Sequence, residues 1–377
     1  IPTYPCRMAP QPHPAGAPPP PFSLRYTPQV PELLHALGAT LALSTYQAGK
    51  LVLISAQDAS SLTQLPRNFE KAMGVAERPE TGELAIACRQ EVLAFRDSAD
   101  LAAHFPPSPG KYDAMYMPRA TYHTGPLDLH DLHYDANGDL LAVNTLFSCV
   151  VRIDGMWNFT PVWQPPFIDR IAGEDRCHLN GLAMEAGRPR YATAFSTDNV
   201  PRGWRRDIMH TGVVMDIERN EVLAEGLAMP HSPTIVNGEL YVLLSGSGEM
   251  VRVDRASGAV DVVASIGGFV RGLSVVGDYA FVGLSRIREK SQTFGHLAGK
   301  LQNNAAGVML IHLPTGSKVG LLEYQTSVEE IYDVHILQGK RRPNILNPSD
   351  DRHRDGVAIP STTFWRHRPL DDTTPTP

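Results

Sequence analysis

The stretch Leu129-His-Asp-Leu-His-Tyr-Asp-Ala-Asn-Gly-Asp-Leu-Leu-Ala-Val143 decides how this chain is read. Two apolar runs flank an Asn-Gly turn, and those residues tolerate the positive φ of a tight hairpin, so the stretch predicts a β-hairpin. The unit recurs. Copies run from Asn180 to Thr193 around Ala186-Gly187-Arg188-Pro189, from His231 to Leu243 around Asn237-Gly238, and from Arg271 to Val282 around Gly277-Asp278. Two more fit, one from Met73 to Ala87 around Thr81-Gly82-Glu83 and one from Tyr332 to Leu337.

Aligned on their turns, the copies make Met73, His130, Asn180, His231, Arg271 and Tyr332 equivalent, about 50 residues apart, the length of a four-stranded propeller blade with its loops. Third strands show in Val150–Asp154 and Met250–Asp254, where alternation ends in an Asp at a turn. The segment Leu41–Ser55 is expected to pair with the C-terminal blade and so close the ring without an open sheet edge. The expected fold is all-β, a six-bladed β-propeller with seven blades as the alternative count, forming one domain over residues 32–368. Residues 1–31, with Pro18 to Pro21 continuous, read as a disordered Pro-rich tail, and residues 369–377 read likewise.

Composition bounds the function. An apolar fraction of 42% and a charged fraction of 20% suit a globular core. A net charge of -6 gives no general attraction to nucleic acid or anionic lipid, so neither a nucleic acid nor a membrane is an expected partner. No apolar run approaches bilayer-spanning length. Cys6, Cys88, Cys149 and Cys177 lie far apart without a CxxC pair, which fits a reducing compartment, read as cytoplasmic; a removed leader stays open because the chain does not begin with Met.

In a propeller the innermost strand of each blade faces the axis, so equivalent positions gather around one central funnel. The expected ring is His130, Asn180, His231, Arg271 and Tyr332, with His178 on the same face as Asn180 by the period of two. Three imidazoles, His130, His178 and His231, from successive blades form a set that suits a divalent transition metal with an open position. The alternative is that they hydrogen-bond one another, backbone and water as a polar core. Asp131 and Asp175 are candidate carboxylates orienting those imidazoles, or else caps of the turn backbone. His133 is expected on the opposite face.

Arg271 is the foremost candidate for holding a substrate anion, against an internal ion pair with Asp131 or Asp333. Tyr332 is a candidate proton donor. Trp204, Arg205 and Arg119 are candidate rim contacts, with Trp204 alternatively a plug over apolar surface. Cys177 reads as core, Ser245-Gly-Ser-Gly248 as a turn rather than a phosphate loop, and Arg286 through Lys300 as a lid or a solvated insertion.

The runs Thr124–Leu132, Glu174–Leu182, Met229–Pro233, Val270–Leu273 and Glu330–Val334, with Gly203-Trp-Arg205 and Leu284-Ser-Arg286, resemble a bacterial family of propeller-like proteins of unknown function. The motifs run from about Leu41 to Arg341. More remotely, His178-Leu-Asn-Gly-Leu-Ala183 is similar to the inner strand of six-bladed gluconolactonase and strictosidine-synthase relatives, a resemblance that implies metal or substrate at the propeller mouth. The functional expectation is a metal-assisted hydrolase or lyase acting on a small anionic or carbonyl-bearing molecule. The other class is a non-catalytic propeller that binds a ligand or a protein partner, its histidines structural.

Overall fold

The computed structural model describes residues 19–287, 295 and 301–366. Five of the six predicted copies form the first two strands of a blade, because a primed turn matches the twist of the strands it joins, whereas the copy at Tyr332 supplies an inner strand alone. Ala186 and Gly187, at φ 49° and 70°, and Asn237 and Gly238, at 51° and 82°, are turns of this kind.

The described residues form six blades. Blade 1 holds Asp333–Leu337 innermost, then Thr40–Thr45, Lys50–Ala56 and Leu62–Asn68. Blade 2 holds Val75–Arg78, Glu83–Ala87, Glu91–Asp97 and Ala114–His123. Blade 3 holds Leu129–Tyr134, Leu140–Asn144, Cys149–Ile153 and Thr160–Trp163. Blade 4 holds Leu179–Glu185, Arg188–Ala194, Gly212–Asp216 and Glu221–Leu227, and blade 5 holds Pro230–Val236, Glu239–Leu244, Glu249–Val253 and Val260–Ser265. Blade 6 holds Phe269–Val276, Tyr279–Ser285, Gly307–His312 and Ser317–Tyr324. Each innermost strand touches the next, and the sixth returns to the first.

The ring closes as the sequence implies. Thr40–Thr45 pairs antiparallel with Asp333–Leu337, from Thr40 opposite Leu337 to Ser44 opposite Asp333, so the two ends of the chain share blade 1. Between blades the facing sheets bury apolar side chains, as where Leu41, Leu43 and Val334 of blade 1 meet Phe281 and Leu310 of blade 6.

Part of the stretch expected as a tail forms regular structure. Leu24–Tyr26 adds a fifth strand to blade 6, with Leu24 opposite Tyr324, and the helix Gln29–Leu37 buries Val30 and Leu34 against blades 1 and 6. Proline does not prevent this, since Pro28 and Pro31 sit at the helix start, where no intrahelical N–H bond is lost. Residues 1–18 and 369–377 lie outside the described residues. Among the described residues no helix is long and apolar enough to cross a membrane.

Candidate active site around the propeller axis

A register shift marks the inner strand at the ring position in four successive blades. In blade 3 the single residue Val143 faces both His130 and Asp131. In blade 5 Val242 faces Ser232 and Pro233, and in blade 6 Gly283 faces Arg271 and Gly272. Blade 4 shifts around Asn180. Bulges bend a strand and re-aim its side chains, so strict alternation ends here. His130, Asp131 and His133 all line the axial cavity as a result, which corrects the expectation that His133 turns away.

The residue after each ring position alternates around the axis as Gly74, Asp131, Gly181, Ser232, Gly272 and Asp333. Each polar member staples the following blade: Asp131 accepts from Leu182 N at 2.9 Å, Ser232 from Gly272 N at 3.0 Å and Asp333 from Val75 N at 2.9 Å. Each glycine leaves room for the backbone of the next polar member. A Cβ on Gly74 would stand 2.8 Å from Leu132 N, one on Gly272 would stand 2.7 Å from Val334 N, and one on Gly181 would run into Pro233. The sequence signs HDL, NGL, HSP, RGL and YDV are therefore the contacts of one closed ring.

The ring side chains are fixed by a second repeated device. His130 Nδ1 lies 3.0 Å from Asp128 O, Asn180 Nδ2 lies 3.1 Å from His178 O, and His231 Nδ1 lies 3.1 Å from Met229 O. In each case the carbonyl belongs to the residue two before, and Asp128, His178 and Met229 all have positive φ, between 51° and 56°. A carbonyl only accepts, so His130 and His231 carry their proton on Nδ1 and turn an Nε2 lone pair outward from that bond. Ser245 Oγ, 2.7 Å from His231 Nδ1, itself donates to Val270 O, which leaves the same tautomer. Burial, then the neighbouring His178 and Arg271 charges, hold His130 well below the usual imidazole range; burial and Arg271 do the same to His231. Both are neutral bases at pH 7.

Arg271 and Tyr332 form the other half of the ring. The guanidinium sits 3.8 Å from the centre of the Tyr332 ring, which also meets His130 edge-on at 5.4 Å and stacks on Tyr46 at 5.7 Å. The ion-pair partner of Arg271 is Glu330, not Asp131 or Asp333. Arg271 Nε and Tyr332 Oη remain buried without a hydrogen-bond partner. Orphaned buried donors are costly and uncommon in native structures. Burial pushes the Tyr332 phenol well above its ordinary range, so it stays a donor. His130, Asn180, His231, Arg271 and Tyr332 line one cavity of about 90 Å³.

Asp131 and Asp333, each one residue after a ring position, line the same cavity. Asp131 pairs with His133 at 3.2 Å rather than with His130, His178 or His231. Burial disfavours the charged His133 imidazole, but the carboxylates of Asp131 and Asp333 outweigh it and raise its pKa. Burial, reinforced by the Asp131 charge, pushes the Asp333 carboxyl up to about 6.

His178 stands apart from the cavity. Its left-handed backbone, φ 52°, breaks the alternation that would have aligned it with Asn180. Asp175 lies 3.1 Å from His178 Nδ1 and accepts from Trp204 Nε1 at 2.9 Å, so this carboxylate does orient an imidazole. Trp204 is buried with its ring 4.3 Å from His178, and Arg205 lies over its outer face at 5.0 Å. The ring edge of His130 reaches His178 at 5.0 Å, but Phe195 stands between His178 and His231, 4.5 Å from one and 5.0 Å from the other. Among the described residues no three His, Cys, Asp or Glu side chains are arranged to hold a metal ion. Of the three imidazoles expected together, His130 and His231 line the cavity and His178 does not.

Arg119 is not a rim residue. It is the bulged residue of Ala114–His123, the fourth strand of blade 2, away from the axis; Pro118 suggested a loop, yet an outer strand tolerates proline at a bulge. Cys177 is core, its thiol pushed up to about 12 by burial. Of the stretch from Arg286 to Lys300, residues 288–294 and 296–300 lie outside the described residues. The sequence reading gave no site role to Phe195, Glu330 or Ser245, which lie just outside the strands and away from the aligned ring positions.

Residues 28–346 match the model of a domain of unknown function, DUF4915. No curated protein matches the chain. Among solved structures it is similar to one from a nidogen/laminin complex, with TM-score 0.54 and 10% identity over 80% of this chain and 99% of that one. It is also similar to a protein of unknown function from Bacteroides caccae, with TM-score 0.50 and 11% identity over 79% of this chain and 98% of that one. At such identities the likeness concerns the fold alone.

Proposed function

The chain belongs to the DUF4915 family, and from its geometry we propose that the axial cavity binds a compact anionic or carbonyl-bearing molecule and acts on it by proton transfer. The observation that carries this reading is the pair of buried, unpartnered donors, Arg271 Nε and Tyr332 Oη, on two residues that line one cavity. A ligand oxygen accepting from them would satisfy both. The neutral His130 and His231 supply bases on the same ring. Such a set suits hydrolysis or elimination: an imidazole takes a proton from water or from the carbon beside the bound carbonyl, while Arg271 and Tyr332 stabilise the developing oxyanion.

Isothermal titration with pyruvate and malonate tests the binding step. Both are expected to bind the wild-type protein, and about tenfold or more weaker to Arg271→Lys and to Tyr332→Phe, since a hydrogen bond to a charged group contributes about 1.5–3 kcal/mol. Absence of binding to the wild type, or an affinity in both variants equal to that of the wild type, would refute the reading.

A further inference from the structure

The same cavity that carries Arg271 and Tyr332 is lined by Asp131 and Asp333. Both signs of charge therefore face one small space. Asp333 lines the cavity, and its two oxygens accept only from backbone, Val334 N at 2.8 Å and Val75 N at 2.9 Å. No cationic side chain bonds to it among the described residues. Asp131 shares its charge with His133, whose Nε2 is within ion-pair reach yet makes no aligned hydrogen bond. Carboxylates inside a protein are ordinarily paired with a cation, and these two have less positive charge bonded to them than they can accept.

We propose that the ligand is a small zwitterion, a compact amino acid whose carboxylate meets Arg271 and Tyr332 while its ammonium group meets Asp333 and Asp131. This rests on the reading of the cavity as an anion site and adds the second pole. Tyr332, 5% exposed, ends in a hydroxyl with no partner among the described residues, as do Arg271 Nε and His133 Nε2 on the same cavity. A simple anion would satisfy that hydroxyl and Arg271 but would leave Asp333 without a bonded cation. An amine alone would do the reverse. The cavity of about 90 Å³ confines the choice to short chains.

The test compares three probe series on the wild-type protein, with Arg271→Lys and Asp333→Asn as secondary readouts. Glycine, β-alanine and γ-aminobutyrate are titrated calorimetrically beside acetate, propanoate and butyrate, and beside ethylamine and propylamine. At least one amino acid is expected to bind tenfold or more tighter than both its matched acid and the amines. If the acids bind as tightly as the amino acids and lose affinity in Arg271→Lys, the zwitterion inference fails and the anion site stands. If an amine binds as tightly as an amino acid, the inference fails too. If nothing binds, both readings fall. In Asp333→Asn the preference for amino acid over acid is expected to shrink to threefold or less; a preference retained in full would overturn the role given to Asp333.

Discussion

Replacing Tyr332 by Phe removes a hydroxyl that bonds to nothing in the protein, so its effect on folding and on binding should part company. The variant is expected to unfold within about 0.5 kcal/mol of the wild type, because no internal hydrogen bond is lost, while binding of pyruvate falls. Urea melts beside titration calorimetry separate the two. The titratable groups of the ring pull stability in opposite directions with pH. His130 and His231 are held neutral in the fold but take up protons once unfolded below about pH 6.5, so the unfolded chain binds more protons and stability falls as pH drops. Asp333 has the opposite sign: with its native pKa raised to about 6 from 3.8, the fold binds more protons than the unfolded chain, and stability falls as pH rises through that window. Urea melts across pH 4.5 to 7.5 should therefore show a shallower acid limb in His231→Asn and a smaller loss toward neutral pH in Asp333→Asn. Unchanged slopes would contradict the environments described for these groups.

At the scale of the strand, the hairpins were legible because Asn-Gly and related turns repeat between apolar runs, and the ring followed from aligning them. The side-chain directions were not. A period of two carries a residue's orientation only as far as the next irregularity, and the register shifts around His130, Asn180, Ser232 and Arg271 fall on the very residues that matter. His133 was assigned to the wrong face for that reason, and His178 to the wrong cavity because its φ of 52° is invisible in a His codeword. The glycines in the motifs hold the missing information. Gly181 packs against Pro233 and Ser232 of the next blade, so Gly181→Ala is expected to cost about 2 kcal/mol or more by forcing the two inner strands apart. Gly155→Ala, where a Cβ meets nothing within 4 Å, is the control and should stay within about 0.5 kcal/mol. Chemical denaturation of both variants measures the contrast.

Across the whole molecule, the inner strand of blade 1 comes from the far end of the chain, so ring closure joins residues about 300 positions apart through the pairing of Thr40–Thr45 with Asp333–Leu337. Tyr332 and Asp333 also enter the cavity on that closing strand, and Ser44 holds it there by accepting from Asp333 N at 3.0 Å and donating to Met73 O at 2.6 Å. Closure and site assembly are thus one event. A chain ending at residue 331 lacks the strand, leaves Leu41 and Leu43 of blade 1 without their Val334 and Ile336 neighbours, and opens the staple from Asp333 to Val75. Such a chain is expected to show no cooperative thermal transition. A chain ending at residue 349 keeps the closing strand together with Ile345, Leu346 and Asn347, and removes the hairpin Gly356–Ile359 and Thr362–Trp365, which packs on the outside of blade 2 through Trp365 against Phe105. It should unfold in a single transition at a reduced midpoint and still bind pyruvate. Differential scanning calorimetry of the two truncations decides the point: a cooperative transition in the shorter chain would mean that the blades do not depend on the closing strand, and the cavity would then be assembled by something other than ring closure.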